Sequence, residues 1–409
     1  MIYPGLKTSS ILLPKEGTDY RKWAVVACDQ FTGDPSYWES VKEYVGGAPS
    51  TLKLMQPEVW LKEADPERIN SLMTSYLDNG ILYEAVHDGF ILCERTTENG
   101  VRLGLMAALD LEEYDFTTGT LLTRATEDTV PDRLPPRVKI RINAPLELPH
   151  VMVLIDDPDK TVIEPLYEKR AEKRLLYDVE LMKNGGHLRG FAVEDADSLE
   201  RIGEAVNALK EKSGGFLYAV GDGNHSLATA KKCWEEIKKT LSEEEAADHP
   251  ARYALCEIEN LHQESLKFEP IHRVIFNARK EELVSSFREY LVKKGMDLIS
   301  GEEAVFTGNG DETGFSIKDR GNILPVKLVQ DFLDEYLKEN AGAGIDYIHG
   351  SDTVYRLSSG TDNTGILLKA IDKQSFFDGI RAGGHLPRKT FSMGEANEKR
   401  YYMEVRKLR

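Results

Sequence analysis

The chain has 409 residues, with 52 Lys and Arg against 69 Asp and Glu for a formal net charge of −17, and 41% of it is hydrophobic. That length suits two domains, the composition is that of an ordinary globular protein, and no apolar run approaches the ~20 residues a membrane span needs. Net acidity argues against nucleic acid or acidic lipid as a partner, because both are bound mainly by neutralising phosphate.

The N-terminus, MIYPGLKTSS, lacks the basic-then-apolar layout of a secretion signal, so the expected compartment is cytoplasmic. Cys28, Cys93, Cys233 and Cys256 match no metal-ligand or redox spacing and read as reduced thiols. The first element is a short buried strand, Trp23 to Ala27, that breaks into Cys28-Asp29-Gln30-Phe31-Thr32-Gly33. A strand breaking into polar residues and glycine places Asp29, Gln30 and Thr32 at its C-terminal lip, where α/β proteins put ligands. Asp29 is the one ionisable group at the break. A turn or cap carboxylate would look the same.

Residues 66–78 carry a helical stripe of Ile69, Leu72, Met73, Tyr76 and Leu77, closed by Gly80. Residues 81–111 read as an antiparallel meander with turns at Asp88-Gly89 and Asn99-Gly100. Next comes a basic stretch in which Arg137, Lys139 and Arg141 alternate with Val138, Ile140 and Ile142, with Arg133 just upstream. As a strand it would show one apolar face and one row of three cations, suited to several phosphates. An edge strand guarded against aggregation is the other reading.

Val151 to Ile155 is wholly apolar and ends at Asp156-Asp157, a pair that could hold Mg²⁺ beside phosphate or simply make a turn. Helices are expected over 165–183 and 197–212. Then a strand, Phe216 to Val220, runs into Gly221-Asp222-Gly223-Asn224-His225 and a helix with Leu227, Ala230, Trp234, Ile237 and Leu241 on one stripe. A glycine loop feeding a helix start can bring bare N–H groups up to a phosphate. Asn224 or Ser226 could cap that helix, and His225 could reach an anion or move a proton. A capped helix after a core strand, with a surface histidine, is the plainer alternative.

Strands at 253–261 and 267–276 follow, the second containing Pro270-Ile271-His272-Arg273. From Glu281 the pattern becomes a smaller α+β unit, and a glycine-rich basic loop, Gly383 to Thr390, closes the chain with Lys389 as a further anion contact or part of an exposed basic tail. The expected fold class is α/β, α+β overall: a core domain over 1–276, a smaller α+β domain over 277–375, and a segment over 376–409 returning to the core.

Residues GDGNHSLATA resemble the DGHHR-type motif of the ParB and sulfiredoxin-like superfamily, whose members bind nucleotide phosphates there and include free-serine kinases. Over most of the chain the likeness is to domain-of-unknown-function family 1015. It is carried by Ala27-Cys28-Asp29, Asp222 to His225, Pro270 to Arg273, Asp346-Tyr347-Ile348-His349-Gly350 and Pro387-Arg388-Lys389-Thr390. The resemblance implies a mixed-sheet core with a phosphate-binding element in which Asp222, Gly223, Asn224 and His225 face a phosphate. The motif usually closes with Arg, and here that position is Ser226, so charge would have to come from Arg137, Lys139, Arg141 or Lys389.

The expected function is a small-molecule phosphotransferase acting on a free hydroxy amino acid such as serine, with a nucleotide or pyrophosphate as donor. Asp29 would be the base and His225 would hold the transferred group. Backbone donors from Gly221 to Ser226 would bind phosphate, and Gln30, Thr32, His272 and Arg273 would contact substrate. Asp222 needs Mg²⁺ or a backbone cap to sit beside an anion. A nucleotide-binding regulator without chemistry and a phosphate-ester hydrolase remain alternatives, and a homo-oligomer remains open.

Overall fold

Apolar runs that are buried throughout, such as Phe90 to Cys93 and Leu105 to Ala108, belong on strands covered on both faces. In the computed structural model, which describes every residue except Met1, Thr118, Val130, Thr361 and Arg388, they lie at the centre of one large mixed sheet. Alternate residues of a strand feed opposite cores: Phe90, Leu92 and Leu105 join one apolar cluster, Ile91, Cys93 and Met106 the other. Each such side chain contributes about 1.5–3 kcal/mol of burial. The protein is a mixed α/β fold.

The chain divides into two units, Met1–Leu266 with Glu395–Arg409, and Lys267–Gly394. Among the described residues the first unit carries an 11-stranded sheet. Its order runs Leu175–Glu180, His187–Val193, Leu82–Thr97, Gly100–Asp110, Tyr253–Asn260, Met152–Ile155, Tyr218–Asp222, Thr123–Ala125 and Tyr114–Asp115. Leu6–Lys7 and Ser9–Pro14 pair onto the Gly100–Asp110 and Leu82–Thr97 strands. Tyr218–Asp222 runs antiparallel to Met152–Ile155 and parallel to Thr123–Ala125, so the glycine loop leaves the sheet from an interior strand, third from one edge.

Two expectations change here. Asp88-Gly89 is no turn, because Leu82–Thr97 is one 16-residue strand that pairs with Ser9–Pro14 along its first half and with His187–Val193 along its second. Gly89 serves close approach instead, since a Cβ there would lie 2.6 Å from the Val193 carbonyl oxygen. The helix expected over 165–183 is the short α-helix Glu164–Glu168 and a 3-10 turn, Arg170–Glu172, and Leu175–Glu180 is a strand at the sheet edge. Gln263 and the pair Arg102–Glu259 (3.1 Å) are fully enclosed, so this core holds polar groups as well.

The last fifteen residues lie in the first unit. Tyr401–Tyr402 pairs antiparallel with Val25–Val26, and Arg400, itself buried, sits between the buried carboxylates of Glu257 (2.8 Å) and Glu404. Arg95 donates to the carbonyls of Gly185, Asn397, Glu398 and Lys399, fastening the segment from below.

The second unit has, among the described residues, a six-stranded antiparallel sheet built on Phe268–Phe276, with Lys280–Lys293 and Pro325–Glu339 as its longer helices. Phe287 packs on Phe306 and Phe332 with ring centroids 5.8 and 4.9 Å apart. No helix among the described residues is long and apolar enough to cross a membrane.

Candidate functional site

The ladder between Tyr218–Asp222 and Met152–Ile155 slips between Val220 and Asp222, leaving Gly221 as the irregular residue. The chain then turns through Gly223 at φ 84°, which is the N-cap of the helix Asn224–Lys238. A Cβ at Gly223 would lie 3.1 Å from Val151 Cα in a backbone region that L residues enter at a cost of about 1–2 kcal/mol. Glycine is therefore required twice over. The first intrahelical bond runs from the Leu227 N–H to the Gly223 carbonyl (3.0 Å), so the N–H groups of Asn224, His225 and Ser226 have no acceptor within the helix.

No acidic side chain lies in that first turn, and the cap donates no side-chain bond. Asn224 does not cap the helix. Its buried amide faces Thr126, accepting from the backbone N–H at 3.2 Å and donating to the hydroxyl at 3.4 Å. Ser226, also expected as a cap, instead lines a hollow of about 10 Å³ with Arg141, Glu147 and His150, room for about one water. Asp222 accepts from the Gly223 N–H at 2.9 Å and lies 3.3 Å from Lys399 Nζ. Its charge is thus answered by a backbone cap and an ammonium.

Asp29 reaches the same region through the C-terminal segment. Tyr402 pairs with Val25 and Tyr401 with Val26, and the Ala27 N–H donates to the Arg400 carbonyl (2.8 Å). The Cys28 N–H donates to Tyr402 Oη at 3.2 Å, and that oxygen lies 3.1 Å from His150 Nδ1, next to the Val151 on which Gly223 rests. Lys399, the residue before Arg400, carries this segment to Asp222 at the glycine turn. Gln30 Nε2 donates to Asp29 Oδ1 (3.0 Å), Phe31 adopts φ 54° and stacks on Tyr37 at 3.7 Å, and Thr32 is exposed. The Cys28 thiol, pushed up to about 12 by burial and then by the Asp29 charge, is no nucleophile near neutrality.

The basic stretch is a helix, Leu134–Arg141, and not the expected strand. Pro135 and Pro136 occupy its first turn, where a missing N–H costs nothing and the ring presets φ. Arg137 and Arg141, four apart, share a face, while Lys139 is exposed on another. Neither arginine is an unclaimed cation: Arg137 pairs with Glu58, and Arg141 with Glu147, which also holds Arg406 at 2.6 Å. Glu58 N–H donates to the Cys28 carbonyl (2.8 Å), so this carboxylate stands beside the Asp29 loop.

The basic helix and the glycine turn meet at His225. Burial pushes its pKa below the ordinary 6.5, the Arg137 and Arg133 guanidiniums press it lower, and the Asp29 carboxylate opposes them. Asp29, Arg133, Arg137 and His225 share one electrostatic field, and the imidazole is neutral near pH 7.

Other candidates lie elsewhere. Asp156 and Asp157 follow Ile155, the end of the strand that pairs with Tyr218, whereas Asp222 pairs with Met152 at the opposite end. Asp156 is 2.7 Å from His262, and the buried Asp157 accepts from Thr161 N (2.6 Å), Thr161 Oγ1 (3.1 Å) and Val162 N (3.0 Å), so it is a turn carboxylate. Among the described residues no group of three or more His, Cys, Asp or Glu is arranged to hold a metal ion. His272, Arg273 and Lys389 belong to the second unit. There His272 Nδ1 accepts from the Leu368 N–H (3.1 Å), and the fully buried Arg273 donates to Gln330 Oε1 (3.2 Å). Lys389 adopts φ 59°, and Arg388 lies outside the described residues.

Sequence reasoning missed Glu58, Lys399 and the His150–Tyr402 contact. The strand character of Tyr401 was legible, and so was the charge of Lys399, but no local pattern names a partner 374 residues away, the separation of Cys28 and Tyr402.

The family described as Protein of unknown function (DUF1015) matches residues 12–374. No curated protein matches the chain. Among solved structures, a free serine kinase in complex with AMP is similar at 14% identity and a TM-score of 0.39, covering 74% of this chain and 92% of that one. A conserved hypothetical protein from Pyrococcus furiosus stands at 13% and 0.35, with 74% and 95% covered. SbnI with a C-terminal truncation, from Staphylococcus aureus, stands at 8% and 0.34, with 71% and 83% covered.

Proposed function

We propose, for a chain that belongs to the Protein of unknown function (DUF1015) family, a small-molecule phosphotransferase that binds the phosphates of a nucleotide or pyrophosphate at the Gly223 turn. The observation that carries this reading is the pairing of a left-handed glycine cap, with first-turn amides lacking helical acceptors, and a histidine whose pKa burial and two guanidiniums lower against a carboxylate. Amides at a helix start favour an anion. An arriving phosphate would favour the charged form of His225, its negative charge acting against the burial and the arginines that lower the pKa.

Phosphoryl transfer asks mainly for positioning and charge neutralisation. The acceptor, a free hydroxy amino acid such as serine, attacks the terminal phosphorus through its hydroxyl oxygen. The bridging P–O bond breaks, the shortened donor leaves with the electron pair, and Asp29 takes the hydroxyl proton. Gln30 and Thr32 lie on the same loop for contact with the acceptor. Asp156 and Asp157 are turned to other partners and take no part in the step.

The test is transfer of labelled phosphate from ATP, ADP or pyrophosphate to serine and other hydroxy amino acids. Turnover is expected with one donor, falling about 10²–10⁴-fold in Asp29→Asn, the usual worth of a general base. Phosphate release without an acceptor would make the protein a hydrolase. Nucleotide binding without turnover would favour a regulator, and neither binding nor turnover would sink the reading.

A further inference from the structure

Four cations stand near the glycine turn: on the basic helix Arg137 is paired with Glu58 and Arg141 with Glu147, and Arg133, just upstream, is exposed. The fourth, Lys399, is held at the turn itself. Its side chain is 11% exposed, its Nζ lies 3.3 Å from Asp222 Oδ2, and the next residue, Arg400, accepts at its carbonyl from the Ala27 N–H (2.8 Å). Asp222 keeps a second, independent partner in the Gly223 N–H at 2.9 Å, so its carboxylate remains capped when the ammonium moves. Asp222 is also the residue immediately before the Gly223 cap of the helix Asn224–Lys238.

We propose that Lys399 is the phosphate-contacting cation of this site, delivered by the C-terminal segment in place of the guanidinium that Ser226 does not supply. In the free protein its ammonium rests on Asp222. When a polyphosphate settles on the first-turn amides, the ammonium shares itself between that carboxylate and a phosphate oxygen, a contact that a flexible point charge with three donors makes without rebuilding the turn. The Glu395–Arg409 segment is thus part of the binding site as well as of the fold. This inference deepens the phosphotransferase reading and rests on it.

The experiment is calorimetric titration of the full-length protein with ADP and with pyrophosphate, for the unaltered chain, Lys399→Met, Lys399→Arg, and Lys399→Met combined with Asp222→Asn. Lys399→Met is expected to weaken binding roughly tenfold to a hundredfold, the worth of one charged hydrogen bond, and Lys399→Arg to recover most of it. The double variant separates contact from mere neutralisation. If it stays as weak as Lys399→Met, the lysine touches the anion; if removing the Asp222 charge restores affinity, Lys399 only balances Asp222 and the inference falls while the phosphate site stands. Equal affinity of Lys399→Met and the unaltered chain also overturns it. No binding by the unaltered chain removes this inference together with the reading beneath it. Thermal unfolding without ligand shows that each variant is folded.

Discussion

Gly223 and His225 are the residues where backbone and charge decide most. Gly223→Ala places a Cβ beside Val151 in left-handed backbone, so we expect a loss of about 1–2 kcal/mol in urea unfolding together with loss of ADP binding; unchanged values in both would mean the turn relaxes freely. His225 gives a signed pH dependence. Its folded-state pKa lies below the ordinary 6.5, so the unfolded chain binds more protons, and its contribution to stability is present above that value and lost as pH falls through the folded one. The urea midpoint should therefore drop less between about pH 7 and about pH 5 in His225→Gln than in the unaltered protein. At this scale the glycine turn was legible in the sequence, because Gly-Asp-Gly-Asn-His between an apolar strand and a helical stripe has few other structural meanings. Its cap was not, since Asn224 and Ser226 are both good capping residues and only the approach of Thr126 diverts the former.

Among the elements, the Leu134–Arg141 helix taught most. Alternation of cations with Val138, Ile140 and Ile142 matches a strand, but Pro135-Pro136 matches a helix start, and the proline signal won because it constrains the backbone directly. The consequence reaches the site: on a helix Arg137 turns toward Glu58 and the field of His225, where a strand would have lined it up with Lys139 and Arg141. Arg137→Ala is expected to raise the His225 pKa, read from the pH titration of its imidazole resonances by NMR, while Lys139→Ala leaves it alone. A fall, or no change, in Arg137→Ala would break the link between the basic helix and the glycine turn. Asp88-Gly89 carries a related lesson: a two-residue turn signal was overruled because the strand changes partners there, information that no local window holds.

For the whole molecule, the apolar runs and the α/β centre were readable because both-face burial leaves continuous hydrophobic stretches. A return of 376–409 to the core was expected, but the partners that hold the chain's end were not legible, because they are charges far apart in sequence. Arg400, enclosed between Glu257 and Glu404, ties the final segment to the large sheet. Arg400→Met takes the shared cation from two buried carboxylates, Glu404 keeping only the Tyr177 hydroxyl and the Cys93 thiol, and is expected to cost about 3–5 kcal/mol in denaturant unfolding. A cost under about 1 kcal/mol, the range of a surface pair, would show that water reaches this network. The same segment carries Lys399 to the turn, so stability and ligand binding share one stretch of chain. The most direct test of the account is the backbone amide NMR spectrum of the full protein titrated with ADP or pyrophosphate. The expected result is that the amides of Asn224, His225 and Ser226 shift most and saturate together; saturable binding that leaves those three unmoved would contradict it.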